Sequence, residues 1–97
     1  MADCFVRVEL HGATHNDYDL LHQRMLDTGY YRAIRGSDGR SFALPTAEYH
    51  AIVSDGASVA ALRDQVLGIA RSVKSNPDPW VLTVISAGAW AISSKVV

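Results

Sequence analysis

Cysteine is almost absent from this chain. Cys4 is the only one, so no intramolecular disulfide can form and the fold must be held by its core. No disulfide-linked partner is expected, and the reducing cytoplasm fits. An excess of charge of one sign is missing too. A formal net charge of −1 excludes the broad basic surface that grips phosphate backbones everywhere at once, while leaving local basic clusters open. Long apolar runs are lacking as well. The most apolar segment, near Val81 to Ile92, is interrupted by Ser, Thr and Gly, and the N-terminus has no basic region followed by a sustained apolar stretch. Membrane insertion and secretion are therefore not expected. Internal repeats and low-complexity segments are also lacking, which argues against solenoid and linker architectures.

What is there is enough for one small core. At 97 residues and 48% apolar content, the chain predicts a single domain spanning 1–97, with only the tail 93–97 expected to fray. From Cys4 to Leu10 the residues alternate, with Val6, Val8 and Leu10 on one face and Phe5, Arg7 and Glu9 on the other, the pattern of a half-buried strand. Thr14 is a candidate N-cap with Asp17 three residues on. The helix it opens carries Tyr18, Leu21 and Met25 at helical spacing and stops at Gly29, its C′ residue.

Tyr30 to Arg35 and Arg40 to Leu44 flank the turn residues Ser37, Asp38 and Gly39, which predicts a hairpin. Tyr49, Ala51 and Val53 alternate with Glu48, His50 and Ile52 and form the next strand, ending at Asp55-Gly56. A second helix begins after Ser58, with Val59, Leu62, Val66, Ile69, Ala70 and Val73 on one face and Arg63, Asp64, Arg71 and Lys74 opposite. Trp80 to Ser86, rich in β-branched residues, reads as a strand. Ala87-Gly88-Ala89 then loosens the chain, and Trp90 and Ile92 could begin a short fifth strand. The order predicts an α+β, ferredoxin-like βαββαβ sandwich, an antiparallel four-stranded sheet with two helices on one face and the other face open.

The open face gathers Phe5, Arg7 and Glu9 with Glu48 and His50. Arginine forks grip phosphate and histidine titrates near neutrality, so Arg7, Glu9 and His50 form the candidate catalytic set for RNA cleavage, set against a plain polar surface or a dimer interface with paired charges. Arg32, Arg35 and Arg40, interleaved with Tyr30, Tyr31 and Phe42, make the best local basic patch. Of these, Arg32, Arg35, Arg40 and Tyr31 are the candidate RNA contacts, set against ordinary cross-strand packing. His15, Asp19 and His22 share a helix face near His11 but match no zinc spacing, so a solvated face is the reading, with no metal and no cofactor expected. Cys4 lacks any nucleophile signature, and Gly36 and Gly39 serve a turn rather than a phosphate loop. Trp90 and Ile92 are candidate interface anchors on an edge that a second subunit could pair with.

The stretch Phe5-Val6-Arg7-Val8-Glu9-Leu10-His11-Gly12, the helix start Asp17-Tyr18-Asp19-Leu20-Leu21-His22, Gly29-Tyr30, and Leu44-Pro45-Thr46-Ala47-Glu48-Tyr49 together resemble the small bacterial proteins grouped with the GhoS antitoxin. The resemblance spans most of the chain through short matches rather than a catalytic signature. It implies a ferredoxin-like fold related to CRISPR spacer-acquisition nuclease subunits and VapD ribonucleases. For GhoS itself it implies sequence-specific cleavage of a toxin messenger RNA. Those nuclease relatives carry an aspartate near the end of the first strand, where this chain has Leu10 and His11, so metal-assisted hydrolysis does not carry over and metal-free cleavage or simple RNA binding fits better. The leading expectation is a GhoS-like RNA-binding protein with endoribonuclease activity implied by the family, a candidate toxin–antitoxin component. The alternatives are a non-catalytic homodimeric interaction module and a small-ligand-binding regulator.

Overall fold

The computed structural model describes every residue except Ala87 and Ala89. Its elements run β1 (Ala2–Glu9), α1 (His15–Asp27), β2 (Ala33–Arg35), β3 (Ser41–Ala43), β4 (Glu48–Val53), α2 (Val59–Val73) and β5 (Trp80–Ser86). β1 is central in an antiparallel three-stranded sheet of order β4-β1-β5, and β2 and β3 form a separate two-stranded sheet. The chain is thus a small α+β protein with two helices and antiparallel sheets. None of its helices, among the described residues, is long and apolar enough to cross a membrane.

Alternation decides what each strand buries. Cys4, Val6, Val8 and Leu10 turn to the helices, where Tyr49 and Ala51 from β4, Leu21 and Met25 from α1 and Val66 and Ala70 from α2 complete one core. The register sets Val6 opposite Tyr49 and Cys4 opposite Ala51, so large and small side chains interleave across the ladder. Both helices lie on this one side. Val59, expected on the inner face of α2, is exposed instead because it sits in the first turn, ahead of the part of the helix that meets the sheet.

The ends of α1 follow from local chemistry. Thr14 and Asp17 form a reciprocal capping box: the Thr14 hydroxyl accepts from the Asp17 N–H and the Asp17 carboxylate from the Thr14 N–H, satisfying two orphan donors. At the other end Gly29, at φ 95°, allows its N–H to reach the Leu26 carbonyl and the Tyr30 N–H to reach Met25. This Schellman closure needs a left-handed residue at C′. Ser58 caps α2 through the Ala61 N–H.

The expected hairpin forms, but it does not run alongside β4 as a full fourth strand. A single antiparallel pair, Tyr31 with His50, joins it to β4, through N–H···O bonds of 2.8 and 2.7 Å. After Tyr31 the backbone bonds within the hairpin instead, the Arg32 carbonyl accepting from the Leu44 N–H. Trp90 and Ile92 belong to no strand. The tail, read from the sequence as fraying, is bonded to β3: the Ala43 N–H donates to the Lys95 carbonyl and the Val97 N–H to the Ser41 carbonyl, each at 2.9 Å. The loosening expected at Ala87-Gly88-Ala89 falls on Ala87 and Ala89, outside the described residues.

Candidate functional site

The reverse face of the three-stranded sheet carries the side chains left over by the core. β1 contributes Asp3, Phe5, Arg7 and Glu9, β4 contributes Glu48, His50 and Ile52, and β5 contributes Trp80, Leu82 and Val84. Register brings Phe5 opposite His50 and Arg7 opposite Glu48 on one side, and Phe5 opposite Val84, Arg7 opposite Leu82 and Glu9 opposite Trp80 on the other. The sequence-derived trio of Arg7, Glu9 and His50 therefore does share a face. Its members are not equivalent, because that face is divided in two.

The half over β4 is covered around His50 and left open at its far end, where Ile52 is 54% exposed. His50 is only 8% exposed, its Nε2 lies 2.7 Å from the Asp3 carboxylate, and the Phe5 ring stands 5.2 Å from it, with Trp90 edge-on to Phe5 at 6.3 Å. The hairpin and the tail complete the cover. Phe5, Ile34, Leu44, Pro45, Trp90 and Ile92 surround a cavity of about 330 Å³ with Glu48 at its side. Trp90 and Ile92, read as anchors for a second subunit, thus line an intramolecular cavity.

A carboxylate holding an imidazole is half of an acid–base device. Arg7 and Glu9 are exposed and make no ion pair among the described residues. Cys4 cannot supply a nucleophile here, because it is fully buried on the helix side and burial pushes its thiol above the ordinary value.

The half over β5 is open and apolar. Trp80, Leu82 and Val84 are 68, 62 and 47% exposed, in a row along the strand, while Val81, Thr83 and Ile85 between them turn toward the helices. His11 stands edge-on to Trp80 at 4.7 Å. Alternation could not find this stripe, since both sides of β5 are rich in apolar residues.

The basic hairpin is partly spent on itself. Arg40 donates first its backbone N–H and then its guanidinium to the Asp38 carboxylate, holding that carboxyl below its usual range, and the guanidinium lies 5.4 Å over the Phe42 ring. Arg35 donates to the Gly39 carbonyl. Tyr30 is buried, with its hydroxyl donating to Gln65 on α2. Tyr31, 54% exposed, and the exposed Arg32, without an ion pair among the described residues, stand in solvent beside Arg35 and Arg40, which are exposed as well.

On α1 the three polar residues grouped by sequence part company. His15 pairs with Asp19 at 3.5 Å in solvent, whereas His22 turns inward and brings Nδ1 to 2.6 Å from the buried Tyr49 hydroxyl. Among the described residues no three His, Cys, Asp or Glu side chains are placed to hold a metal. Burial, and then the Arg32 charge, push His22 below its ordinary value, and burial pushes the Tyr49 hydroxyl well up. No family model matches the chain, and no curated protein and no solved structure matches it.

Proposed function

We propose that the protein is a non-catalytic homodimeric interaction module that buries its β5 stripe against the same stripe of a second copy. The observation that carries this reading is the exposed row Trp80, Leu82 and Val84. Contiguous apolar surface on a small domain marks a contact site. Charge complementarity favours a second copy as the occupant. Arg7 and Glu9 border the stripe and Glu48 lies beyond them, so a two-fold axis through it brings basic and acidic groups of the two copies together. A net charge of −1 leaves little mutual repulsion. Sedimentation velocity tests it. Wild-type protein is expected to sediment as a dimer and Leu82→Asp as a monomer with unchanged circular dichroism; a monomeric wild type at tens of micromolar sinks the reading.

The ferredoxin-like architecture belongs to the same proposal. Extending the sheet through the Tyr31–His50 pair gives the order β5-β1-β4-β2, and this with both helices on one side supports a βαββαβ frame.

A second reading, GhoS-like RNA binding in the cytoplasm as a toxin–antitoxin component, is favoured by Tyr31 exposed beside Arg32, which has no ion pair among the described residues, an aromatic face and a fork of donors suited to an unstacked base and its phosphate. RNA cleavage by Arg7, Glu9 and His50 has weaker support, since His50 is covered and engaged by Asp3. Incubating total RNA with the protein, with and without chelator, and mapping new ends tests cleavage. Loss of salt-dependent RNA retention in Arg32→Ala tests binding, and retention that survives that substitution removes the hairpin from the reading.

A further inference from the structure

Between the outer side of α1 and the segment leading into β2 lies a cleft of about 270 Å³, lined by Asp19, His22, Gln23, Leu26, Tyr30 and Arg32. None of these residues belongs to the β5 stripe, so the cleft stands or falls independently of the dimer. Its donors are set by the groups behind them. The 2.6 Å separation of Tyr49 Oη and His22 Nδ1 is short for an N–H donor and ordinary for an O–H donor. The tyrosine is buried and neutral, so its hydroxyl donates to Nδ1. A neutral imidazole accepting at Nδ1 carries its proton on Nε2. His22, which lines the cleft, thus carries its proton on Nε2 while its Nδ1 is held by the core.

The backbone that carries Arg32 is anchored from the other side. Tyr31 is tied to His50 by both backbone groups, and the Arg32 carbonyl accepts from the Leu44 N–H at 2.8 Å, leaving its guanidinium unpaired among the described residues. Arg32 and His22 both line the cleft, and a guanidinium fork together with an imidazole N–H suits a planar oxyanion, which a fork grips through two parallel bonds. Leu26 and the Tyr30 ring supply apolar wall. Asp19, turned to His15 at the solvent side, repels additional negative charge and so disfavours dianions and polyanions.

We propose that this cleft binds a small organic monocarboxylate, with its carboxylate on Arg32 and the His22 Nε2–H and its short carbon chain against Leu26 and Tyr30. Sodium butyrate is the probe, with butanamide, which lacks the charge, as the control, and amide NMR shifts as the readout. Butyrate is expected to perturb amides of residues 19–32, saturably and at millimolar concentration, while butanamide does not.

Arg32→Ala, at an exposed residue whose side chain makes no ion pair among the described residues, is expected to weaken butyrate about tenfold or more. Arg32→Lys, keeping the charge without the fork, is expected to retain only part of the affinity. Asp19→Asn is expected to tighten it roughly threefold by removing a like charge. Absence of saturable shifts in wild type, equal response to butanamide, or an affinity untouched by Arg32→Ala would each overturn the proposal. So would perturbation of the same amides by an oligoribonucleotide but not by butyrate, which would transfer the cleft to the RNA reading.

Discussion

The two faces of the β4-β1-β5 sheet come from the same strands by the same alternation, yet they solve different problems. On the helix side, Cys4, Val6, Val8, Tyr49 and Ala51 meet two helices and are almost wholly buried. On the reverse side the cover is improvised from a short hairpin and a tail, and it reaches only part way: His50 is enclosed and Phe5 half-buried, while Ile52, Leu82 and Val84 stay exposed. An amphipathic helix covers a sheet because its apolar face is as long as the strands. A hairpin of two three-residue strands, joined to β4 by one backbone pair, is too short to do the same. The difference teaches that burial in so small a domain is assigned by reach, and the uncovered part is where a partner is needed.

The comparison is broken most severely by removing volume on the helix side. Leu21→Ala, at a position with no exposure, is expected to cost about 3 kcal/mol in urea unfolding, because the packed surroundings cannot close on the space left. Leu82→Ala on the reverse face is expected to change monomer stability by less than about 0.5 kcal/mol. Its deficit is expected to grow with protein concentration, since a subunit contact stabilises by mass action. Equal losses at the two leucines would mean that the faces do not differ as described.

The covered half of the reverse face offers the next test. Asp3→Ala leaves the enclosed His50 without the carboxylate 2.7 Å from its Nε2, and is expected to cost about 1 to 2 kcal/mol, the penalty of a buried polar group stripped of its partner. Were His50 an open surface residue, the cost would vanish. Asp3 itself was within reach of the sequence pattern, because it shares the parity of Phe5 and Arg7. A strand read as starting at Cys4 stops one step short of it.

How much else the sequence discloses depends on whether the two periods conflict. β1 is legible because charged Arg7 and Glu9 alternate with aliphatic residues, and α1 because its cap, its stripe and Gly29 agree. β5 is found with its full extent, yet its faces are not, since Leu82 and Val84 are as apolar as Val81 and Ile85. The tail's attachment to β3 uses backbone groups only, and no side chain of Ser93-Ser94-Lys95 announces it. The pairing of His22 with Tyr49 spans 27 residues and joins a helix to a strand, so spacing along α1 groups His22 with His15 instead.

Burial of His22 gives the helix side its own dependence on pH. The folded state holds His22 below its ordinary value of 6.5, burial being the main cause and Arg32 the next. A histidine with a lowered folded pKa contributes stability that is fully present above about pH 6.5. That contribution is lost as pH falls through 6.5 toward the folded value, because the unfolded chain binds the proton more readily. Thermal unfolding of wild type should therefore fall more steeply below pH 6.5 than that of His22→Gln. Parallel profiles would show that His22 titrates as freely as a surface histidine.

The smallest effect is expected where the two faces meet at the start of β4. Ala47 has φ of 62° in a turn closed by the Glu48 N–H and the Pro45 carbonyl, and its own carbonyl accepts from the Val8 N–H at 3.0 Å, prolonging the β1–β4 ladder. A left-handed alanine costs about 1 to 2 kcal/mol in Cβ crowding, and glycine avoids this but gives up roughly 0.5 to 1 kcal/mol in chain entropy. Ala47→Gly should accordingly stabilise the protein by about 0.5 kcal/mol in urea unfolding, with the m-value unchanged. A loss instead would mean that the methyl group, on a residue 7% exposed, contributes more by packing against the helix-side core than the backbone loses by holding it there.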